Sequence, residues 1–328
     1  MTIRIAAIEV NHWHSLYDAA YLRHLTRMPD VRIVALHDPN AEVAAKRAAV
    51  VGNPPTFTDY RQMLSETRPD FVLALGRHSV MAEIAHYLLD NSYPFLMEKP
   101  MGFNAEEVRS IDEKAEAKKG FAAVPLSQRY QPYVKLAQRM IAEGEFGPLS
   151  HMYFRMNRPT SARYPAWDAP WMLDPSISNG GCLRNLGPHG LDLFLLLTGE
   201  EAEVTGAQTT SRALGQPVED YATVTVRSQS GIIGTVEVGN VFPRDGTDGE
   251  FKVSGRDALL SAKDGLMRII TADGEETQSI QLEESTAYLV LRDTLDRWQR
   301  GEPPPINVHD CYRAVRLIDQ AYRIARQS

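Results

Sequence analysis

In the first 124 residues, five short and nearly all-apolar runs, at 3–8, 31–36, 71–75, 94–97 and 121–124, alternate with amphipathic stretches at 17–26, 41–50, 81–91 and 105–119. Runs this short and this apolar are strands covered by helices on both faces, and their alternation with helices builds βαβ units and a parallel sheet. Asn104, with Glu107 three residues on, reads as a capping-box variant opening the last of these helices. An open, doubly wound α/β sheet is the expectation. After a further helix at 130–143, ended by Gly144 and Gly147-Pro148, the texture changes. Strand candidates follow one another at 149–158, 203–210, 221–227, 232–238, 250–254, 259–262, 266–270 and 277–281. The turn signals Ser230-Gly231, Asp248-Gly249 and Asp273-Gly274 favour antiparallel pairing there. Helices at 186–197, 286–300 and 309–326 complete an α+β pattern. The expected domains are 1–125, doubly wound, and 126–328, α+β with a large, mostly antiparallel sheet.

Two domains also suit the 328 residues, at roughly 150 residues per domain. The 35 basic and 42 acidic side chains leave a net charge of −7, with no Lys/Arg cluster to neutralise a phosphate backbone, so nucleic acid is not an expected partner. No run of about 18 apolar residues is present, and no membrane span is expected. Cys182 and Cys311 lack the paired spacing of a zinc site and read as buried free thiols; no metal site is expected. The amino terminus carries no charged-then-apolar leader, so a cytoplasmic location is the default.

In a doubly wound sheet, ligands bind outside the carboxyl ends of the strands. The loop after the first strand reads Glu9-Val10-Asn11-His12-Trp13-His14. A dinucleotide fingerprint wants G-x-G-x-x-G here, and Glu9, Asn11 and His14 stand in place of the three glycines. Asn11 tolerates a left-handed backbone, and His12 or His14 can donate to phosphate. Asp38, ending the second strand, either accepts ribose hydroxyls, which favours NAD over NADP, or caps the helix starting near Asn40. Gly76-Arg77-His78 follows the third run, beside the topological switch point. Glu98-Lys99-Pro100 follows the fourth; there a cis proline would aim Lys99 into the cleft, and a lysine in a surface turn is the plainer alternative. Downstream, the segment 155–181 carries Arg158, Arg163, Tyr164, Trp167 and Trp171. With Arg129 and Tyr130 these residues resemble the wall of a sugar or polyol site, or else serve core packing. His189 and Asp192 are three apart on one face of the helix that Gly187-Pro188 is expected to begin. An imidazole beside a carboxylate suits proton transfer near neutrality.

The strand at 3–8, Asp38-Pro39, Ala82-Glu83-Ile84-Ala85, Glu98-Lys99-Pro100, Arg129-Tyr130-Gln131-Pro132, the stretch 144–149 and Asn185-Leu186-Gly187-Pro188-His189-Gly190-Leu191-Asp192 fall in the order seen in one family. The chain resembles the Gfo/Idh/MocA oxidoreductases over nearly its whole length. The resemblance implies an amino-terminal Rossmann domain, a carboxy-terminal domain with a large sheet, and a substrate cleft. It implies Lys99 and His189 as catalytic residues, with Asn185 where the family commonly has an acid. It implies cofactor contacts from Asn11, His12, Trp13, His14, Asp38, Gly76, Arg77, His78, Glu98 and Lys99. Substrate contacts fall to Arg129, Tyr130, Arg163, Tyr164, Trp167, Trp171, Asn185 and His189. The implied activity is an NAD-dependent dehydrogenase acting on a secondary hydroxyl of a sugar, polyol, inositol or sugar acid, in a homodimer or homotetramer assembled through the second domain's sheet. The family also contains members that use bound NAD without net redox, and ligand-sensing members without catalysis. The absent glycines, Gly76-Arg77-His78 in place of a Thr-Pro turn, and Met81 in place of a histidine mark the cofactor side as atypical.

Overall fold

A computed structural model describes residues 2–327 and divides the chain into two compact units. The first comprises 1–125, 163–179 and 287–312, and the second 126–162, 180–286 and 313–328. Segments 163–179 and 287–312, assigned by sequence to the second domain, instead pack with the first. The apolar faces of Ala287, Leu291 and Leu295 explain this for the later segment, since they join the core under the parallel sheet.

In the first unit, strands β1 (Ile3–Ile8), β2 (Val31–His37), β3 (Thr56–Phe57), β4 (Phe71–Ala74), β5 (Phe95–Met97) and β6 (Ala122–Ala123) form one sheet in the order β3-β2-β1-β4-β5-β6. Every pairing is parallel. Ile5 sits between Ile33 of β2 and Phe71 of β4, so the switch of direction that makes a ligand crevice falls between β1 and β4. Helices α1 (Tyr21–Arg27), α2 (Ala41–Val50), α3 (Tyr60–Thr67), α4 (His78–Asp90) and α5 (Ala105–Lys118) connect the strands. Asn104 caps α5 by accepting from the amide of Glu107 at 3.0 Å, and Glu107 reaches back to the amide of Phe103 at 2.7 Å, as the sequence implied. The helix expected at 17–26 is shorter. A single 3₁₀ turn, Trp13–Ser15, comes first, and Asp18 and Ala20 at positive φ break the α ladder before Tyr21.

The second unit begins with α6 (Pro132–Ala142) and β7 (Leu149–Asn157). The short helices α7 (Thr160–Arg163) and α8 (Pro175–Ser178) follow, then α9 (Cys182–Thr198). Its sheet adds β8 (Ala202–Thr210), β9 (Tyr221–Ser228), β10 (Ile233–Gly239), β11 (Asp248–Gly255), β12 (Ala258–Lys263), β13 (Leu266–Thr271) and β14 (Gly274–Ser279), in the order β14-β13-β12-β11-β7-β10-β9-β8. All pairings are antiparallel except β7 with β10, which is parallel. Asp248-Gly249, expected as a turn, opens β11 instead. The alternation Val236/Val238, Val224/Val226 and Phe251/Val253 turns one face inward onto α6, α9 and the carboxyl part of α11 (Val308–Ala325). Between β14 and α11 runs α10 (Thr286–Gln299). No helix among the described residues is long and apolar enough to cross a membrane.

Candidate active site

Four strand-end loops of the first unit carry the residues singled out in the sequence. After β1, Glu9 adopts φ 58°, the left-handed backbone that a glycine would adopt without strain. Its carboxylate is buried but not unpaired: the Arg77 guanidinium donates to it at 2.8 and 3.1 Å. The negative charge that Glu9 brings to this loop is thereby neutralised. The main-chain amides of this loop are spent internally. Glu9 donates to His37 Nδ1, Val10 to the His37 carbonyl, Asn11 to Asp38, His12 to the Glu9 carbonyl, and Ser15, Leu16 and Tyr17 to carbonyls within the turn. The amide nest of a glycine-rich loop is therefore not what this chain offers. Among the described residues, Asn11 Oδ1, His12 Nε2 and Trp13 Nε1 are buried polar atoms with no hydrogen-bond partner. Each polar group left unsatisfied costs about 1–3 kcal/mol. Of the three, His12 Nε2–H and Trp13 Nε1–H are donors of the kind a phosphate accepts from, whereas Asn11 Oδ1 is an acceptor.

Asp38 binds main-chain amides of two loops. Its oxygens accept from the amides of Asn11 at 2.6 Å and Asn40 at 3.0 Å, tying the first loop to the second. The cap of α2 is Asn40, not Asp38. Burial pushes the Asp38 carboxyl up to about 6, against the opposing pull of those two amides.

After β4, Gly76 turns at φ 67°, and Arg77 is committed to Glu9. His78, expected at the cofactor, is instead a packing residue: wholly buried, it donates from Nδ1 to the Ser178 carbonyl at 2.7 Å and stands edge-on to Trp171. The expected substrate wall is likewise corrected in part. Tyr164 and Trp171 are buried against Trp13 in one aromatic cluster, with ring centroids 4.9 and 5.8 Å from it. Trp167 stacks on Tyr17, and Arg163 lies over the Trp167 ring. Rings so placed gain more from mutual burial than they would on an open surface, which is why 163–179 joins the first unit.

After β5, the Lys99–Pro100 bond is cis, and the Lys99 side chain is 2% exposed. Glu98 beside it was not recognised in the sequence as the partner of His14, since nothing in the spacing of residues 84 apart announces the pair. His14 Nδ1 lies 2.7 Å from Glu98 Oε1. Burial alone would raise the Glu98 carboxyl, but His14, by charge and hydrogen bond, then Lys99 and His12, hold it well below the usual carboxylate range. Burial, and then the neighbouring His14, lower the His12 imidazole well below its ordinary value, so His12 is neutral. His12, His14 and Glu98 bring potential metal-ligand atoms within 4.8 Å of one another. However, His12 Nδ1 accepts from the His14 amide at 3.1 Å, which leaves a proton, not a lone pair, on its Nε2. The trio is a hydrogen-bonded set rather than a ligand set.

In the second unit, Asn185 and His189 lie one turn apart on α9, both buried. The helix begins at Cys182, not at Gly187-Pro188, and Pro188 lies inside it. No side chain of its own caps it. Glu219 does so from outside, accepting from the amides of Gly181 at 2.8 Å and Leu183 at 2.9 Å, and from the Tyr322 hydroxyl at 2.7 Å. A carboxylate there suits the positive end of a helix. Asp192, expected to orient His189, receives two bonds from Arg129 at 2.8 and 2.5 Å, so the Arg129 guanidinium, expected at the substrate, is tied to α9. Tyr130 faces the Lys135 ammonium.

Residues 14–125 match the family described as "Oxidoreductase family, NAD-binding Rossmann fold", and 134–261 match the "GFO/IDH/MocA C-terminal domain". The first match begins after β1 and most of its loop, the stretch where the glycines are missing. The chain is 27% identical over 214 residues to levoglucosan dehydrogenase of Pseudarthrobacter phenanthrenivorans, covering 64% of this chain and 54% of that one. It is 24% identical over 225 residues to scyllo-inositol 2-dehydrogenase (NAD(+)) of Bacillus subtilis, covering 67% and 63%. The matched region thus spans less than two thirds of either relative. Among solved structures, an oxidoreductase from Agrobacterium radiobacter in complex with NAD+, L-tartaric acid and magnesium has a similar fold, with a TM-score of 0.86 at 15% identity over 99% of this chain and 97% of that one.

Proposed function

Because the chain belongs to the Gfo/Idh/MocA oxidoreductase family, we propose that it interconverts a secondary alcohol and its ketone on a sugar, polyol, inositol or sugar acid, using NAD. The observation that carries this reading is the buried Lys99 ammonium at a parallel strand's carboxyl end, beside an ionised Glu98. A buried cation aimed at a developing alkoxide stabilises it far more than one in water would. His189 takes the hydroxyl proton, and Asn185, which cannot act as a base, orients the hydroxyl. Asn11, His12 and Trp13 would hold the diphosphate and Asp38 the adenosine ribose, with Lys99 at the nicotinamide end. A bound nicotinamide would supply the hydride acceptor. Relatives named levoglucosan dehydrogenase and scyllo-inositol 2-dehydrogenase (NAD(+)), and an oxidoreductase of like fold in complex with L-tartaric acid, support the substrate class.

NAD is favoured over NADP because Asp38 is an acid and Pro39, not arginine, follows it. The test is a fluorescence titration with NADH and NADPH, followed by absorbance at 340 nm with a panel of sugars, inositols and sugar acids. Micromolar NADH binding, weaker NADPH binding and turnover of at least one compound are expected, with Asp38→Ala narrowing the preference. Binding of neither dinucleotide would overturn the reading in favour of a ligand-sensing protein, which one observation favours, namely the spent amides of the first loop. We place the protein in the cytoplasm, and cell fractionation tests that placement. We also place a dimer or tetramer contact on the outer face of the eight-stranded sheet.

A further inference from the structure

The inner face of the eight-stranded sheet is not closed at one end. Tyr133, Met156 and Ile280 pack against its core but are only partly buried. Beside them opens a cavity of about 410 Å³, lined wholly by residues of the second unit, where β7 ends and β11 begins. One position makes the room. Alternate residues of β11 point inward, and Phe251 and Val253 fill the core; two residues before Phe251 the same face presents Gly249, opposite Met156 of β7. Nothing local requires glycine here. Its φ lies outside the left-handed range, and a Cβ would meet no atom nearer than Thr247 Cγ2 at 3.5 Å and the Arg155 carbonyl at 3.7 Å, ordinary contact distances. The missing side chain serves neither a turn nor a close approach; it leaves space.

The cavity has an aromatic floor and a hydrogen-bonding rim. Phe154, Phe251 and Tyr133 form the floor, the last two with ring centroids 4.8 Å apart. On the rim, the Tyr133 hydroxyl donates to Gln128 Oε1 at 3.2 Å, which leaves the Gln128 NH₂ to donate elsewhere. Gln131 stands at the amino end of α6, yet its side chain makes no cap bond to the helix. Arg158 and Thr247 complete the rim. The lining holds three cationic and two anionic side chains, and two of the cations, Arg155 and Lys263, already face Glu250 at 3.2 and 3.5 Å, so no charge of one sign accumulates. Aromatic faces ringed by carboxamides and a hydroxyl are what a sugar ring needs, with its C–H face on the rings and its hydroxyls on the rim. The volume is at the small end of the roughly 300–1,000 Å³ of small-molecule pockets, room for one hexose ring.

Two walls of the cavity touch the helix that carries His189. A Cβ on Gly190, the next residue, would come within 2.6 Å of Phe154, and Arg129, next to Gln128, binds Asp192. We propose that this cavity is a saccharide subsite that takes an uncharged glycosyl ring of the substrate, so that the compound oxidised is a glycoside or disaccharide rather than a free hexose. That the ring belongs to the substrate rests on the oxidoreductase reading; that the cavity binds a saccharide does not.

The experiment titrates the whole chain, labelled with ¹³C in its methionine methyls, with glucose, maltose, cellobiose, lactose and sucrose, and follows Met156, assigned by Met156→Leu. At least one disaccharide should shift the Met156 methyl. Gly249→Val, whose side chain fills the cavity without a clash, should abolish that shift while thermal unfolding stays as in the wild type, and Gln128→Ala should weaken the binding about tenfold. No shift with any disaccharide, or a shift kept in Gly249→Val, overturns the subsite. If Gly249→Val does not fold, Gln128→Ala decides, and an unchanged affinity overturns it. In steady-state kinetics, the ratio of kcat/KM for that disaccharide to kcat/KM for its free hexose should fall about tenfold or more in Gly249→Val. An unchanged ratio removes the cavity from the substrate site. A shift without dinucleotide binding overturns the oxidoreductase reading and leaves the saccharide site standing; dinucleotide binding without a shift does the reverse.

Discussion

At the scale of single residues, the first loop shows how a glycine position can be filled without losing the backbone. Glu9 takes a positive φ and then needs a counter-charge, because a carboxylate only 4% exposed cannot stay ionised alone. Arg77→Ala should therefore cost about 2 kcal/mol in urea unfolding, less than a fully buried pair because Arg77 is 30% exposed. Glu9→Gln added to it should restore roughly half; a double variant no more stable than Arg77→Ala would show that charge is not the cause. Asp38 makes a second prediction. Its folded value of about 6 lies above the ordinary 3.8, so the folded chain binds this proton more tightly than the unfolded one. Its contribution to stability should fall by about 3 kcal/mol as pH rises from about 4 to about 6, and stay flat outside that window. The difference in unfolding free energy between wild type and Asp38→Asn, measured across that range, should follow this slope; parallel curves would refute it.

At the scale of elements, α9 is set in place by groups far from it in sequence. Its amino end is capped by Glu219, and its middle lies flush on the sheet, because a Cβ at Gly190 would come within 2.6 Å of Phe154 and 2.8 Å of Val236. Gly190 is thus required by close approach, and its position next to His189 makes the approach a determinant of where that imidazole stands. Helix propensity alone says Gly190→Ala gains about 1 kcal/mol. Overpacking against two side chains of the sheet says it loses about 2 kcal/mol or more, and thermal unfolding should find the loss. A variant as stable as the wild type would mean the helix can shift at little cost. The length of α9 was misread for the same reason: Pro188 reads as a helix start, whereas packing on the sheet and the Glu219 cap hold the helix through it.

At the scale of the whole molecule, the outer face of the eight-stranded sheet carries Tyr153, Tyr221, Glu237 and Arg155 in one hydrogen-bonded set, and Ile233 and Leu266 are 45% and 43% exposed. The contact proposed between copies would lie on this face. Sedimentation at micromolar concentration should give a dimer or tetramer, weakened by Ile233→Arg; a monomeric wild type would refute the placement. Much of the molecule was legible in the chain. Period-two and short apolar runs depend on which face is buried and so identified both sheets, and Glu98-Lys99-Pro100 and His189 could be singled out as candidates because they stand in local motifs. Other assignments depended on distance in space. That Glu9 meets Arg77, that Glu98 meets His14, that Asp192 belongs to Arg129, and that Trp171 and Tyr164 close over Trp13 are facts about residues tens to well over a hundred positions apart. A side chain's partner is chosen by which groups burial leaves without water, and only the folded backbone decides that.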